Sequence, residues 1–262
     1  LSKPLHLALS YDEEIGCIGV RAMLAELARD GLQPDWVLIG EPTAMQVASG
    51  HKGKLAARAS CCGVAAHSAL APTGLNAIHL AADFLAEIRA LQADLAETGA
   101  RDTDYDIPYS TVHAGVIAGG TALNIVPESC TLDFEIRNVA EDDPKRLMER
   151  LFQKAEVISN AARHRFAGTG ITIDVVNDYP GLGASGNGEI VARGLALAGA
   201  DRAVKVAFGT EGGLFSRALD TPVLVCGPGS MEQGHKADEF VTRAQMDACR
   251  AMLGRLTETL GA

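Results

Sequence analysis

Carboxylate and imidazole side chains follow three short apolar runs of this sequence, at points where strands of a sheet would end. Glu13 and Glu14 come after residues 5–9 (LHLAL), Glu41 comes after 36–40 (WVLIG), and His235 follows 223–226 (VLVC). Ligands and catalytic groups of open α/β sheets gather outside the carboxyl ends of the strands. Carboxylate and imidazole ligands suit a divalent cation such as zinc, which keeps one position open for water at catalytic sites. The pattern therefore predicts a metal site.

The adjacent carboxylates Glu13 and Glu14 suggest what such a site would do. Neighbouring side chains of a loop point in different directions, so one carboxylate can bind the metal while the other accepts a proton. A metal lowers the pKa of its bound water, and a nearby base then produces a hydroxide that can attack an amide carbonyl. The alternative interpretation is a solvated acidic loop at 12–14 and a surface histidine at position 235.

The apolar and polar pattern predicts an α/β fold whose two halves lie at the two ends of the chain. Before residue 51 it predicts a buried strand, a helix and a second strand, which together form the βαβ unit of a parallel sheet. Their ranges are 5–9, 18–29 and 36–40. After residue 177 the pattern returns, with helices at 189–198, after Glu211 and at 243–260, and with strands at 204–208 and 223–226.

The pattern of apolar and polar residues at 51–177 differs from that of the flanking segments and predicts an inserted domain. An exposed strand at 54–59 precedes a helix at 76–92, strands at 110–117 and 130–137, a helix that begins at Pro144, and a strand at 171–176. The order β-α-β-β-α-β is typical of ferredoxin-like domains. The prediction is therefore a partial α/β domain, residues 1–50 and 178–262, interrupted by a ferredoxin-like domain at 51–177.

Composition excludes some classes of function. The 33 acidic and 23 basic residues give a net charge of −10, which argues against sequence-independent nucleic-acid binding because that requires a basic surface. No uncharged apolar run approaches the roughly 18 residues that a membrane span requires. The 6 cysteines form no CxxC pair, which favours free thiols in a reducing compartment, and hence a cytoplasmic location.

A glycine motif at 181–186 (GLGASG) offers a competing prediction. The spacing GxGxxG between a strand and a helix is the fingerprint of dinucleotide-binding domains. Tyr179-Pro180 breaks the preceding strand, and the nearest acid downstream is Asp201, so the ribose-binding carboxylate of that fold is poorly matched. The favoured interpretation is a glycine-rich connection back into the α/β domain.

Four strings carry a resemblance to a known family: SYDEEIG, VLIGEPT, GVAAHSA and GPGSMEQGHKADEF, in that order. They resemble the zinc amidohydrolases that include acetylornithine deacetylase, succinyl-diaminopimelate desuccinylase, aminoacylase and carboxypeptidase G, and the resemblance covers the whole chain. GTEGGLF, CGPGS and GHKADEF are most similar to the acetylornithine deacetylase branch. The resemblance implies a zinc-peptidase-like catalytic domain, a lid and dimerisation domain at 51–177, and a cytoplasmic homodimer.

The implied activity is hydrolysis of the amide bond of a small N-acyl amino acid. In the favoured branch the substrate is N2-acetyl-L-ornithine, a step of arginine biosynthesis, and the desuccinylase reaction is the alternative. A non-enzymatic alternative is a dimerisation module. The family binds two zinc ions in each active site, and the choice between zinc and cobalt stays open.

The resemblance assigns roles to individual residues. Glu13 matches the general base, Glu14 and Glu41 match carboxylates on the two zinc ions, and His235 matches the C-terminal histidine ligand. His67 matches a histidine that reaches the active site of the partner subunit and stabilises the oxyanion of the reaction.

Four further residues match positions that contact the substrate. Asn124 and Arg137 match residues that hold a carboxylate or carbonyl group, for which a guanidinium is well shaped. Thr210 and Glu211 lie in a loop that resembles a substrate-contacting turn, where an acid would suit the side-chain amine of ornithine. Asn124 as a turn residue and Arg137 as a surface charge are the alternatives.

The sequence departs from the family in one respect. The HxD strand end and the aspartate that bridges the two zinc ions belong upstream of Glu13 in the family, and neither occurs here. Glu14, Glu41 and His235 are three of the five ligands that the family uses. The expectation is that this chain alone binds metal incompletely and is inactive.

Overall fold

The computed structural model describes residues 1–183 and 188–261, so the last part of the glycine motif at 181–186 lies outside the described residues. The chain divides into two compact units. The first unit comprises Leu1–Lys52, Thr103–Asp106 and Tyr179–Ala262, and the second comprises Gly53–Asp102 and Ile107–Asp178.

Fourteen helices and strands follow one another along the described residues. They are α1 (Val20–Arg29), β1 (Val37–Ile39), β2 (Ala48–His51), β3 (Gly53–Cys62), α2 (Ala77–Thr98), β4 (Thr111–Gly119), β5 (Ser129–Asn138), α3 (Pro144–Arg165), β6 (Gly170–Tyr179), α4 (Gly188–Ala198), β7 (Val204–Val206), α5 (Gly212–Leu219), β8 (Val223–Val225) and α6 (Arg243–Gly261). A 3-10 helix at Ser68–Thr73 lies between β3 and α2.

The first unit is a layered α/β structure around a sheet with the strand order β1-β8-β2-β7. Strands β1 and β8 are parallel, as are β2 and β7. Side chains of β8 alternate between the two faces of the sheet: Val223 and Val225 join the apolar cluster of α1 and α5, and Leu224 joins that of α4 and α6. Because β1 and β8 are parallel, the loops after their carboxyl ends meet at one edge.

One prediction for the first unit is wrong, and one of its strands was not predicted. Residues 5–9 form no strand and are not buried, since Leu5, Leu7 and Leu9 are 55%, 84% and 78% exposed. Their alternation fits one face of a strand, but a strand also needs a neighbour for its backbone hydrogen bonds, and within the described residues this segment belongs to neither sheet. Strand β2 is the opposite case: its sequence, Ala-Ser-Gly-His, lacks the pattern of a strand, yet all four residues are buried.

The second unit confirms the predicted ferredoxin-like fold. Its sheet has the strand order β4-β5-β3-β6, with β3 and β4 both antiparallel to β5. Helices α2 and α3 begin where the sequence predicts, because Asn76 and Asp143 accept hydrogen bonds from the first backbone N–H groups of each helix. Strand β3 is not exposed as predicted, since every second residue is buried against the core that these helices cover.

None of the helices in the described part of the chain is both long and apolar enough to cross a membrane.

Candidate functional site

The loop before α1 holds Glu13 and Glu14 in a tight turn. The backbone N–H groups of Gly16 and Cys17 both donate to the carbonyl oxygen of Glu13, at 2.9 and 2.8 Å. Buried Cys17 anchors the turn, and its Sγ donates to Glu13 Oε1 at 3.4 Å. Burial and the nearby Glu13 raise the pKa of the Cys17 thiol, so the thiol stays protonated and can act as a donor. Glu13 is thereby oriented and half-buried, whereas Glu14 is exposed.

The loop after β1 places Glu41 beside the loop after β8. Ala44 N–H donates to the Gly229 carbonyl at 2.7 Å, and Met45 N–H donates to the Gly227 carbonyl at 2.9 Å. A Cβ atom on Gly227 would lie only 2.6 Å from the Glu41 carbonyl oxygen. The position of Glu41 therefore depends on a close backbone approach that only glycine permits.

Left-handed backbone conformations concentrate in these loops. The described non-glycine residues with positive φ are Asp12, Cys17, Ala44, Met45, Asp220, His235 and Asp238, and all except Asp220 lie in the loops that carry Glu13, Glu41 and His235. Such conformations are costly for residues with a Cβ atom and cluster at functional sites, where the surrounding structure enforces them. The backbone thus marks the same three loops as the side-chain chemistry.

The carboxylates of these loops form one negatively charged cluster. Burial, reinforced by Glu13, Glu211 and Glu14, raises the pKa of Glu41 to about 7. His235 Nε2 lies 3.6 Å from Glu14 Oε2, with both side chains mostly exposed. Mutual repulsion of this kind persists in a folded protein where a cation compensates it.

The donor types of Glu14, Glu41 and His235 fit a divalent metal ion. The proximity of Glu14 to His235 and the raised pKa of Glu41 are what an acidic cluster built for a cation would show. Within the described ranges, however, no three histidine, cysteine or acidic residues are arranged so that they could hold a metal ion together. The chemistry of the donors fits zinc, whereas the arrangement is incomplete.

The loop before α5 adds Glu211, and it contains a feature that the sequence did not reveal. Thr210 is fully buried, and its Oγ1 accepts a hydrogen bond from Gly212 N–H at 2.9 Å. Buried His51 of β2 accepts a hydrogen bond from Gly213 N–H through Nε2 at 3.2 Å, and its Nδ1 donates to the Lys52 carbonyl at 2.9 Å. The sequence assigned no site role to His51, since no motif contains it.

In the second unit, His67 and Asn124 lie close together. Both are exposed, and the backbone joins them because Ser68 N–H donates to the Asn124 carbonyl at 2.9 Å and His67 bridges to Ile125. The His67 side chain caps the following 3-10 helix, with Nδ1 accepting from Ala69 N–H. Because Nδ1 is the acceptor, a neutral His67 ring carries its proton on Nε2.

Arg137 lies elsewhere in the second unit. It is near the end of β5, whereas the loop with Asn124 precedes the start of β5 at Ser129; eight residues of strand separate the two ends by roughly 27 Å. Arg137 Nε donates to Glu135 Oε1 at 2.9 Å. Burial raises the pKa of Glu135, but Arg137 and Lys54 outweigh it and hold that pKa below its usual range. The structure therefore does not bring Arg137 together with His67 and Asn124.

We expect Gly227→Ala to destabilise the first unit by about 1–3 kcal/mol, because the new methyl group overlaps the Glu41 carbonyl and forces the loop apart. Urea unfolding monitored by fluorescence measures the effect, since Trp36 is the only tryptophan and packs against a core cluster of this unit. Gly40→Ala is the matched control, because a Cβ atom there meets no atom within 4 Å. Equal stability of the two variants would contradict the prediction.

Comparison with known proteins gives three findings on the family. Residues 49–162 match the model of the peptidase dimerisation domain. The chain is 32% identical over 259 residues to an acetylornithine deacetylase of Proteus mirabilis, an alignment that covers 98% of this chain and 64% of that protein. An acetylornithine deacetylase of Myxococcus xanthus is 30% identical over 256 residues, with 97% and 64% covered. The chain thus spans somewhat less than two thirds of the length of these relatives.

Solved structures share the fold. Aminopeptidase PepT of Bacillus cereus superposes with a TM-score of 0.74 at 18% identity, covering 97% of this chain and 63% of that one. A tripeptidase of Staphylococcus aureus superposes with a TM-score of 0.71 at 20% identity, with 96% and 62% covered. The resemblance drawn from the motifs is confirmed: residues 49–162 match a peptidase dimerisation domain, and the chain is similar over nearly its whole length to acetylornithine deacetylases.

Proposed function

We propose that this chain forms the larger part of a metal-dependent amidohydrolase that removes the acetyl group from N2-acetyl-L-ornithine. The observation that carries the proposal is the carboxylate cluster at the sheet edge, where the pKa of Glu41 is raised to about 7 beside the Glu14–His235 pair. The relatives named acetylornithine deacetylase support the substrate. Succinyl-diaminopimelate is the alternative, and it would require an additional cationic contact for its second carboxylate.

Glu14, Glu41 and His235 would hold the metal, zinc or cobalt, which supplies Lewis acidity to a water molecule and to the amide carbonyl. Glu13 would take the proton of the attacking water and deliver it to the leaving amine. Its hydrogen bond from Cys17 Sγ supports this role, because a neutral thiol orients the carboxylate without neutralising it.

His67 would donate a hydrogen bond to the oxyanion that develops on the substrate carbonyl of the partner subunit. The hydrogen bond that His67 Nδ1 accepts within its own turn supports this, because it leaves the proton of the neutral ring on Nε2. Asn124 would bind substrate at the same end of the unit. Arg137 would contact the carboxylate or carbonyl group of a substrate, and its distance from His67 along β5 is too long for both to bind one small substrate molecule.

We expect the 262-residue chain alone to be inactive and to retain less than the two zinc ions of the family. Among the described residues, no three metal donors come together. About a third of the length of the relatives lies outside the part that matches this chain. Elemental analysis after dialysis and an acetylornithine assay measure both properties. Two retained zinc ions together with turnover would show that the site is complete in this chain.

A chain extended at its N-terminus to the length of the relatives tests the proposed activity. Loaded with zinc or cobalt, it should have a kcat/KM for the release of acetate from N2-acetyl-L-ornithine that is at least about tenfold higher than its kcat/KM for the release of succinate from succinyl-diaminopimelate. Preference for the succinyl substrate would transfer the proposal to the desuccinylase reaction. Absence of hydrolysis of either substrate would reject it.

The peptidase dimerisation domain favours a second candidate function, the formation of a homodimer without catalysis. An isologous dimer through the second unit would give the chain twice its 27.4 kDa mass in light scattering after size exclusion. A monomer at micromolar concentration would count against it.

A further inference from the structure

Thr43 lies where the loop of Glu41 meets the loop of His235. It is 6% exposed, and its hydroxyl group makes two hydrogen bonds inside the protein. Oγ1 donates to the Gln46 carbonyl at 2.7 Å and accepts from Gly227 N–H at 3.2 Å. Since Thr43 follows β1 and Gly227 follows β8, the second of these bonds joins the two loops through a side chain.

A tight turn fixes Thr43 relative to Glu41. Thr43 N–H donates to the Glu41 carbonyl at 2.8 Å, and that carbonyl oxygen would lie only 2.6 Å from a Cβ atom on Gly227. The backbone of Glu41 and the side chain of Thr43 therefore contact the same glycine. Only Pro42 separates the two residues, and its ring fixes φ, so this turn has little freedom to absorb a displacement of Thr43.

A second turn links Thr43 to His235. Thr43 forms an isolated antiparallel bridge with Ser230. The Ser230 carbonyl accepts hydrogen bonds from Gln233 N–H and Gly234 N–H, at 2.9 and 3.0 Å. His235 comes next in the chain and has a left-handed backbone, with φ of 57°, which a residue with a Cβ atom adopts only where its surroundings hold it. The position of His235 therefore depends on a turn that begins at the contact with Thr43.

We propose that Thr43 is a positioning residue of the metal site, whose hydroxyl group holds Glu41 and His235 in the relative positions that metal binding requires. This inference rests on the proposed function, in which both residues bind the metal. Thr43 itself acts through the two loops and contacts neither the metal nor the substrate. Ligands that are already in place lose less conformational freedom on binding, and residues that orient metal ligands typically contribute about 10- to 100-fold to the affinity.

Thr221 provides a matched control at the other end of the same pair of strands. It is 5% exposed, and its Oγ1 donates to the Pro34 carbonyl at 2.7 Å. Thr221 precedes β8 and Pro34 precedes β1, so this hydroxyl group joins the loops at the amino ends of the two parallel strands. Thr221→Val should therefore destabilise the first unit, as Thr43→Val does, but should leave the loops of the metal site undisturbed.

Zinc titration in competition with a chromophoric chelator measures the effect, in the protein extended to the length of the relatives. We expect Thr43→Val to weaken the zinc affinity at least about tenfold. Thr43→Ser, which keeps the hydroxyl group, and Thr221→Val should bind zinc as tightly as the wild type. Among these variants, the absorption spectrum of the cobalt-loaded protein should change in Thr43→Val alone, because it reports the coordination geometry.

Urea unfolding of the zinc-free proteins establishes that each variant is folded. Thr43→Ala, which also lacks the hydroxyl group, takes the place of Thr43→Val if valine prevents folding. If neither variant folds, the hydroxyl group serves the fold as a whole and the assignment is rejected.

Three results of the titration would also reject the assignment. They are a wild-type zinc affinity in Thr43→Val, a loss of affinity in Thr43→Ser as large as in Thr43→Val, and an equal loss in Thr221→Val, which general destabilisation would explain. A wild type that binds no zinc would reject this inference together with the proposed function. If the wild type binds zinc but does not cleave N2-acetyl-L-ornithine, only the proposed hydrolysis is lost and the effect of Thr43 on the zinc affinity stands.

Discussion

Replacing Glu13 with Gln should lower kcat for N2-acetyl-L-ornithine by about a thousandfold in the extended, metal-loaded protein, with KM changed less than about threefold. The amide is the same size as the carboxylate and can still accept a hydrogen bond from Cys17, but it cannot take a proton from water. The loss therefore falls on the chemical step. Steady-state kinetics with metal content measured on the same sample provides the test.

Two further variants distinguish the role of Glu13 from that of its neighbours. Glu14→Gln should lose both activity and bound zinc, since Glu14 is proposed as a ligand. Glu26→Gln, on the exposed side of α1, should change neither. If Glu13→Gln also loses zinc, Glu13 belongs to the metal site, and if it stays fully active, the general base is another group.

His51 should contribute stability to the first unit that is lost on acidification. Its two hydrogen bonds require a neutral imidazole, because Gly213 N–H can only donate to Nε2 and the Lys52 carbonyl can only accept from Nδ1. Burial lowers the pKa of His51 from 6.5 to about 4. The unfolded chain therefore binds a proton first as the pH falls, so the stability contribution is complete above pH 6.5 and is lost between 6.5 and 4. The loss between pH 7.5 and 5 is about 2 kcal/mol.

Urea unfolding followed by Trp36 fluorescence at pH 7.5 and pH 5, compared between the wild type and His51→Gln, isolates this loss from the opposite effect of the raised pKa of Glu41. His51→Gln should be less stable at pH 7.5 but should lose about 2 kcal/mol less than the wild type on acidification, because its amide oxygen can accept from Gly213 and does not titrate. His79→Gln removes an exposed histidine of α2 and should leave the wild-type pH dependence unchanged. The same pH dependence in His51→Gln and the wild type would show that His51 already titrates normally in the folded state.

The elements that short-range patterns encode were predictable. Asn76 and Asp143 mark the starts of α2 and α3 because a cap needs only the residues next to it, and the alternation in β5 reports a strand with one buried face. The order of these elements was sufficient for the ferredoxin-like unit, and the parallel strands β1 and β8 explain why Glu41 and the loop of His235 share a sheet edge.

Segments whose state depends on distant partners were not predictable. The leucines at 5, 7 and 9 have the pattern of a buried strand but are exposed, whereas Ala48–His51 has no such pattern and is buried, because β2 is enclosed between β8 and β7. A strand requires hydrogen bonds from a neighbour that the local sequence does not specify.

The sequence by itself determined which residue types gather at the sheet edge, and their motifs were enough to identify the relatives. Only the tertiary structure decided which of them interact. It paired Glu14 with His235 and placed Arg137 at the opposite end of β5 from Asn124. It also made His51 a buried support of the Glu211 loop and, among the described residues, left one oxygen of Glu211 without a hydrogen-bond partner. The reason is physical: a motif specifies chemical groups, whereas burial, charge compensation and hydrogen-bond satisfaction arise from contacts between residues far apart in the chain.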